Sequence, residues 1–283
     1  MGLSKGRIDR RLLAELSKHT RSLGLKRFLR GMGYGRCAEL PLVLQHLRPT
    51  FDLALRHLDI GSGDSILPTF LLQHSKWDIT CLDKFSSVKV QHTYCRKVIK
   101  DLKDSDRFHV VEADFLQNSL PEGSFDVITN ISVIEHFEGN TDEKAMEQSA
   151  RLLKPGGKYL LSTLVNEGHF REFRLRQNVY GSNYTTEPVF FQRHHDVESF
   201  NKRVVRASGM KEIHRQYFGE YGFQFLEHFL DIGWPWKPVK LLYQWQTPAF
   251  ARRFITYSPN PVSKPDMPMY TASGVFVVLE KTS

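Results

Sequence analysis

Four polar residues each follow an apolar stretch of the chain that has the length of a buried strand. They are Asp59, Asp83, Asp114 and Asn130, in that order. Any one of them alone would more simply cap a following helix. Parallel strands, however, bring their carboxyl ends to one edge of a sheet, so the four side chains are expected to share one crevice. Carboxylates and an amide accept hydrogen bonds from hydroxyl, amino and ammonium groups, which predicts a site for a nucleotide-like ligand.

The loop after the first of these strands gives the most specific signal. It carries Gly61 and Gly63 directly after Asp59, and glycines let a backbone turn sharply and approach a ligand closely. A dinucleotide fingerprint needs a third glycine three positions after the second, where this chain has the large residue Ile66. No Lys-Ser/Thr pair follows the glycines, which excludes a nucleoside-triphosphate P-loop.

This loop resembles the first motif of the class I S-adenosylmethionine (SAM)-dependent methyltransferases, and the stretches Phe125–His136 and Leu152–Gly157 are similar to later motifs of that superfamily. The resemblance covers residues 53–163, and it departs from the usual pattern at Ser65, where a further glycine is common. It implies SAM as cofactor and S-adenosylhomocysteine as product. The implied cofactor-binding residues are Asp59, Gly61, Ser62, Gly63, Asp83, Lys84, Asp114, Phe115, Asn130 and Ile131.

Individual roles follow for three parts of that set. Asp83 comes 20 residues after Gly63, where a carboxylate can accept both ribose hydroxyls. Asp114 and Phe115 offer a carboxylate for the adenine amino group beside an aromatic face. Asn130 and the backbone of Ile131 are expected to line the floor near the methionine end of the cofactor.

The elements that must position these residues alternate between strands and helices, which indicates βαβ units. The expected fold class is α/β, a doubly wound, mostly parallel seven-stranded sheet with an N-terminal helical arm and an inserted lid and aromatic cap. Lys154–Gly157 is predicted to be a turn before the fifth strand. The predicted strands are 55–59, 78–82, 108–112, 125–129, 158–162, 210–218 and, antiparallel, 274–279.

Three regions are predicted along the chain. Residues 1–50 form a basic N-terminal helical arm, residues 51–165 form the SAM-binding core, and residues 166–283 complete the sheet. The last region includes a substrate lid at 166–209 and an aromatic insertion at 219–272. The insertion could line a cavity for a flat or hydrophobic acceptor, lie at a membrane interface, form a dimer interface, or simply pack in the core.

The basic charge of the chain is concentrated at its start. Residues 1–56 hold 12 Lys/Arg and 4 Asp/Glu, which accounts for the whole net charge of +8. Such an arm could meet nucleic acid, an acidic membrane surface or an anionic substrate, and a solvated helical face is the simpler interpretation.

A methyl acceptor that must lose a proton needs a base, and His136 is the nearest histidine to the expected methyl position. The alternative is a helix-start residue that is hydrogen-bonded to backbone. No metal is predicted, because an amide rather than an acid ends the fourth strand. The predicted substrate contacts come from the lid, and they are His169, Tyr180, His194 and His195.

The sequence therefore predicts an enzyme that moves a methyl group from SAM to an oxygen, nitrogen or carbon of a small-molecule acceptor. A nucleic-acid methyltransferase or RNA-binding module using the basic arm is the alternative, and a protein that binds SAM without methylation is a third. The basic N-terminus lacks the apolar core of a signal peptide, and the three cysteines lack metal-ligand spacing. A cytoplasmic protein without a transmembrane segment is expected.

Overall fold

The computed structural model describes residues 6–99, 106–177, 184–230, 239–264 and 268–282. Its strands are β1 (Gly6–Arg7), β2 (Arg56–Ile60), β3 (Asp78–Asp83), β4 (Phe108–Glu112), β5 (Phe125–Ile131), β6 (Leu153–Leu164), β7 (Arg171–Gln177), β8 (Tyr184–His194), β9 (Lys211–Gly219), β10 (Thr256–Ser258) and β11 (Ser273–Glu280).

Helices connect and cover these strands. They are α1 (Arg10–Ser22), α2 (Leu25–Arg30), α3 (Arg36–Leu47), α4 (Leu67–His74), α5 (Val90–Val98), α6 (Thr141–Leu152), α7 (Val197–Phe200), α8 (Phe225–Leu230) and α9 (Val239–Phe254). A π-helical turn, Asn201–Arg206, continues α7.

In the described part of the chain, the main sheet has the order β1-β10-β9-β11-β6-β5-β2-β3-β4. Strands β2 to β6 pair in parallel, and β11 pairs antiparallel with both β6 and β9. The predicted α/β class and mostly parallel sheet are confirmed. The seven predicted strands form one continuous set, to which β10 and β1 add two short edge strands.

The predicted turn at Lys154–Gly157 is a bulge inside β6. Phe125 pairs with Leu153 and Val127 pairs with Lys158, so the intervening residues of β6 have no counterpart on β5. Gly156 adopts a φ of +75°, which permits this excursion without side-chain strain.

Each face of the sheet carries its own apolar core, because successive strand residues point to opposite faces. On β3, Ile79 and Cys81 pack beneath α1, α3, α4 and α5. On β2, Leu58 and Ile60 pack on the other face, with residues of α6 and α7. This arrangement is doubly wound, and it leaves the carboxyl ends of β2 to β6 on one open edge.

The two predicted attachments to this core have different structures. Strands β7 and β8 of the predicted lid pair with each other as a separate antiparallel hairpin. The predicted arm packs into the sheet core through α1 and α3, and its β1 pairs with β10. The division of the chain into three regions stays a prediction.

Candidate functional site

The Gly61–Gly63 loop leaves β2 and turns over the end of β3. The amides of Gly61 and Ser62 both donate to the Leu82 carbonyl, at 2.8 and 3.1 Å. Gly61 and Gly63 have φ values of +66° and +40°, which residues with a side chain rarely adopt. The tight turn predicted from the two glycines is therefore present. Ile66, the residue that excluded a dinucleotide motif, is buried at the start of α4.

Asp59 is buried under this loop and held by hydroxyl groups. Its carboxylate accepts hydrogen bonds from Thr129 Oγ1 at 2.5 Å and from Ser62 Oγ at 2.8 Å. Burial raises the pKa of Asp59 to about 6, against the effect of these hydrogen bonds. A cationic ligand group beside it would favour the ionised form.

Asp83 ends β3 and faces the second glycine. Its Oδ2 accepts from the Gly63 amide at 3.0 Å, and its Oδ1 accepts from the Phe85 amide at 2.9 Å. Burial is the largest cause that raises the pKa of Asp83. Gln91, which the sequence did not single out, supports the loop from α5 by donating to the Gly63 and Ser65 carbonyls.

A cavity of about 430 Å³ opens above this loop. The loop residues, together with Asp59 and Ile131, form one wall. The other wall comes from the N-terminal arm and includes Arg27, Arg30 and Arg36. Sequence reasoning noted the basic arm but missed that these arginines face the cofactor loop, because nothing in the spacing indicates how the arm folds back.

The arm is fastened over the cavity at several points. Tyr34 donates its hydroxyl to the buried carboxylate of Glu220 at 2.5 Å, and its ring lies 5.8 Å from that of Phe225. Arg30 pairs with Asp64 of the glycine loop. These contacts join the arm both to the loop below it and to the aromatic segment after β9.

The adenine residues predicted after β4 lie outside the cavity lining. Asp114 is exposed and caps a short 3₁₀ turn, its Oδ1 accepting from the Leu116 amide at 2.8 Å. The Phe115 ring is 4% exposed and packs in the core beneath α6, so little of its face remains for stacking. Lys84 is exposed, with its Nζ 5.0 Å from the centre of the Phe85 ring.

The two residues predicted at the end of β5 point in opposite directions. Ile131 lines the cavity, as expected. Asn130 is fully buried on the other face, where its Oδ1 accepts from the Ile134 amide at 3.1 Å. Its amide nitrogen has no hydrogen-bond partner among the described residues. Asn130 therefore shapes the turn after β5 and does not contact the cavity directly.

His136 is tethered to the lid. Its Nδ1 donates to the Phe191 carbonyl of β8 at 2.8 Å, which leaves Nε2 as the nitrogen with a lone pair. Burial lowers the pKa of His136 to about 4, so the ring is neutral at physiological pH. A catalytic role for His136 stays a prediction.

The predicted substrate histidines differ in their exposure to solvent. His169 is exposed, whereas His194 and His195 are buried. His194 Nε2 accepts from the Gln192 amide at 2.9 Å. His195 donates its backbone amide to Leu164, which attaches the end of the lid to β6. Burial lowers the pKa values of His194 and His195 to about 4 and about 3. Tyr180 lies outside the described residues.

Glu135 is a buried carboxylate at the same edge of the sheet. Its Oε2 accepts from Thr163 Oγ1 at 3.1 Å, at the carboxyl end of β6. Burial is the main cause that raises the pKa of Glu135 to about 7, and the nearby charge of Glu39 adds to it.

Comparisons with known proteins bear on the same segment. A methyltransferase domain model matches residues 58–161, which contain the glycine loop and strands β2 to β5 with most of β6. This segment of the chain is similar to the methyltransferase domain of class I SAM-dependent methyltransferases. The matched segment is a methyltransferase domain, and the cofactor of this domain is SAM.

Curated relatives of this chain include a ubiquinone biosynthesis O-methyltransferase from Xanthomonas oryzae pv. oryzae. It is 32% identical over 132 residues, which make up 44% of this chain and 49% of the relative. The match thus spans about half the length of the curated relatives.

Solved structures share the fold at low sequence identity. A 1,6-didemethyltoxoflavin N1-methyltransferase from Burkholderia thailandensis, crystallised with its substrate and S-adenosylhomocysteine, has a TM-score of 0.54 at 12% identity and covers 96% of this chain and 88% of its own. A SAM-dependent methyltransferase from Methanosarcina mazei has a TM-score of 0.53 at 12% identity, covering 83% of this chain and 96% of its own.

The residues of the cavity fit the chemistry of SAM. Asp83 lies outside the cavity lining but directly behind the loop, with its Oδ2 hydrogen-bonded to the Gly63 amide. Asp59 suits the ammonium group, and the arginines of the arm suit the carboxylate of the methionine part. Among the residues that the structure describes, no group of three or more potential ligands could hold a metal ion.

Proposed function

We propose that this methyltransferase transfers a methyl group from SAM to an oxygen, nitrogen or carbon nucleophile of a small molecule and releases S-adenosylhomocysteine. The observation that carries the proposal is the cavity between the glycine loop and the arm, which joins the carboxylate of Asp59 to the guanidinium groups of Arg27 and Arg36. This pairing matches an amino-acid moiety, which carries both charges.

SAM supplies an activated methyl group on its sulfonium, so the protein has to bind and orient the two reactants. Asp59 and Asp83 would hold the ammonium and ribose ends of the cofactor. The arm would exclude water, since Met32 and Leu40 add apolar surface to the same cavity. His136 or another group at the sheet edge would remove a proton from a hydroxyl or amine acceptor.

An oxygen acceptor is the first chemistry to test, because the curated relative that shares 32% identity is an O-methyltransferase. A flat or hydrophobic acceptor stays a prediction, because the described rings after β9 lie outside the cavity lining and pack on one another. The rings of Phe225 and Phe254 stack 4.7 Å apart, and Phe250 lies 4.7 Å from Phe225 on the same helix pair.

The nucleic-acid alternative has no support from the comparisons. Several basic groups of the arm are also engaged within the protein. Arg30 pairs with Asp64, and Arg48 pairs with Glu15. These contacts reduce the charge that the arm could offer to a phosphate backbone.

The test has two stages. Calorimetry with SAM and with S-adenosylhomocysteine should detect binding of both, and failure of both to bind would remove the basis of the proposal. Radiolabelled SAM is then incubated with panels of catechols, amines and RNA. Label transfer to a small molecule supports the proposal, transfer to RNA alone supports the alternative, and binding without transfer to any acceptor supports a non-catalytic SAM-binding protein.

We also propose that the arm contacts an anionic membrane surface. Leu25 and Leu29 of α2 are 71% and 45% exposed, and the exposed Lys26 lies between them. Apolar and basic side chains on one helix favour an anionic lipid interface. Co-sedimentation with phosphatidylserine vesicles should fall for the Leu25→Ser/Leu29→Ser variant. Leu53→Ser, at a leucine that is 53% exposed on the core domain, is the matched control.

Within the described residues, no helix combines the length and the apolar character needed to cross a membrane. We propose a cytoplasmic location, which the three buried cysteines Cys37, Cys81 and Cys95 support, since all are free thiols. Cell fractionation tests it. A homodimer formed through the aromatic insertion also stays a prediction, and light scattering can test it.

A further inference from the structure

A buried glutamate of the arm connects the cavity wall to the ends of two strands. Glu39 of α3 is 3% exposed. Its Oε2 accepts a hydrogen bond from Arg36 Nη1 at 2.7 Å, and Arg36 lines the cavity. Its Oε1 accepts from the hydroxyl of Ser132, and from that of Ser162 at 2.9 Å.

The two serines are fixed by the sheet. Ser132 follows β5, and its amide donates to the Ser162 carbonyl of β6 at 2.9 Å. Ser132 also adopts a φ of +50°, and it is the one residue other than glycine with a positive φ in the described part of the chain. One oxygen of Glu39 is therefore anchored to rigid strand ends, and the other oxygen is aimed at Arg36.

Arg36 depends on this anchor for its direction. Its side chain is 37% exposed, and in the described structure one of its nitrogens is committed to Glu39. The remaining N–H groups of the guanidinium are available to a ligand. A long arginine side chain without a fixed partner would lose more conformational entropy when it binds a ligand.

We propose that Glu39 is a positioning residue that holds Arg36 ready to bind the carboxylate of the cofactor's methionine part. Glu39 itself contacts no ligand in this arrangement. It couples recognition of that carboxylate to the ends of β5 and β6. The proposal rests on the proposed function, because it requires SAM in the cavity.

The test compares two ligands that differ by one group. Decarboxylated SAM retains the nucleoside, sulfonium and amine but lacks the carboxylate. The wild-type protein should bind SAM at least about tenfold more tightly, since a hydrogen-bonded charge pair is lost with the carboxylate. Arg36→Gln should remove most of this preference.

Glu39→Gln removes the charge, and its single amide oxygen cannot serve both Arg36 and the serines. We define the ratio as the dissociation constant of decarboxylated SAM divided by that of SAM. In Glu39→Gln this ratio should fall at least about fivefold, with the affinity for decarboxylated SAM nearly unchanged. Glu15→Gln, at an exposed glutamate of α1 that pairs with Arg48, is the matched control and should keep the wild-type ratio.

An unchanged ratio in Glu39→Gln, or an equal loss of affinity for both ligands, would overturn the proposal. If Glu39→Gln does not fold, Ser162→Ala, which removes one anchor and keeps the charge, should lower the ratio by a smaller factor. A wild-type ratio in Ser162→Ala would then overturn it. A wild-type protein that binds neither ligand refutes the proposed function instead, and one that binds both equally refutes only the role of Glu39 and Arg36.

Discussion

Arg193 and Asp142 form an ion pair that is completely shielded from solvent. The Nη1 to Oδ2 distance is 2.8 Å, and both side chains are 0% exposed. Asp142 lies in the first turn of α6 and Arg193 is near the end of β8, so the pair fastens the predicted lid to α6. Arg193 also donates to the carbonyls of Phe137 and Gly139. The base of the lid is thus a fixed part of the structure.

Asp142→Asn should lower the free energy of unfolding by about 3–5 kcal/mol, because it removes the buried carboxylate that pairs with both Arg193 and Arg203. Urea unfolding followed by circular dichroism measures this loss. Glu138→Gln, which removes an exposed pair with Arg174, is the control and should cost at most about 1 kcal/mol. Equal losses of stability in the two variants would contradict the conclusion that burial makes the Arg193–Asp142 pair important for stability.

Asp83→Ala should weaken the binding of S-adenosylhomocysteine about 10- to 100-fold, because the ribose hydroxyls lose a charged acceptor. Calorimetry gives the affinity. Asp78→Ala, at the partly exposed start of β3 where Asp78 pairs with His109, should bind like the wild type. Unchanged affinity in Asp83→Ala would show that this strand end does not hold the ribose.

Gly61→Ala should destabilise the protein by more than about 2 kcal/mol, because the residue has a positive φ and an added Cβ would meet Val133. The built Cβ lies 2.5 and 2.6 Å from the two methyl carbons of Val133. The double variant Gly61→Ala/Val133→Ala should lose less stability than the sum of the single variants, as thermal and urea unfolding can show.

Gly123→Ala separates the cost of backbone strain from the cost of a steric clash with a neighbouring side chain. Gly123 also has a positive φ, +56°, but a Cβ there would meet nothing within 4 Å. It should therefore show the smaller cost of backbone strain alone, about 1 kcal/mol. A Gly61→Ala variant that is no less stable than Gly123→Ala would mean that Val133 can move away.

Stability should fall steeply as the pH drops from 6.5 towards 4. Burial holds the pKa values of six histidines at about 3 or about 4 in the folded protein, against 6.5 when they are unperturbed. Below pH 6.5 the unfolded chain therefore binds more protons, which favours unfolding. The residues are His19, His46, His57, His136, His194 and His195.

Buried carboxylates act in the opposite direction. The pKa values of Asp59 and Glu135 are raised to about 6 and about 7, so the folded state keeps their protons when the unfolded chain has lost them. Their stabilising effect is lost as the pH rises through those values. Burial also raises the pKa values of Asp83 and Glu220 and lowers those of His74 and His214. Eight histidines therefore outweigh four carboxylates below pH 6. Urea midpoints that stay constant between pH 7 and 5 would contradict this balance.

The positions of the parallel strands along the chain and the glycine loop were predictable from local pattern. Asp59, Gly61 and Gly63 carry their signal within five positions of sequence, and the polar residue that ends each strand follows from alternation alone. The same reasoning was weaker for Phe115 and Asn130. Whether a side chain beside a strand end faces the cavity or the core depends on a single step of strand pleat, which the sequence pattern left undetermined.

The sequence by itself predicted the class of fold, a methyltransferase domain and its cofactor, because these depend on periodicity and on short motifs. Only the tertiary structure showed that the basic arm forms a wall of the cavity. Arg36 of the arm is connected to the strand ends through Glu39. Glu39 accepts a hydrogen bond from Ser162, which lies 123 positions after Glu39 along the chain. Such contacts arise from how α3 packs on the sheet, and that packing leaves no regular spacing in the sequence.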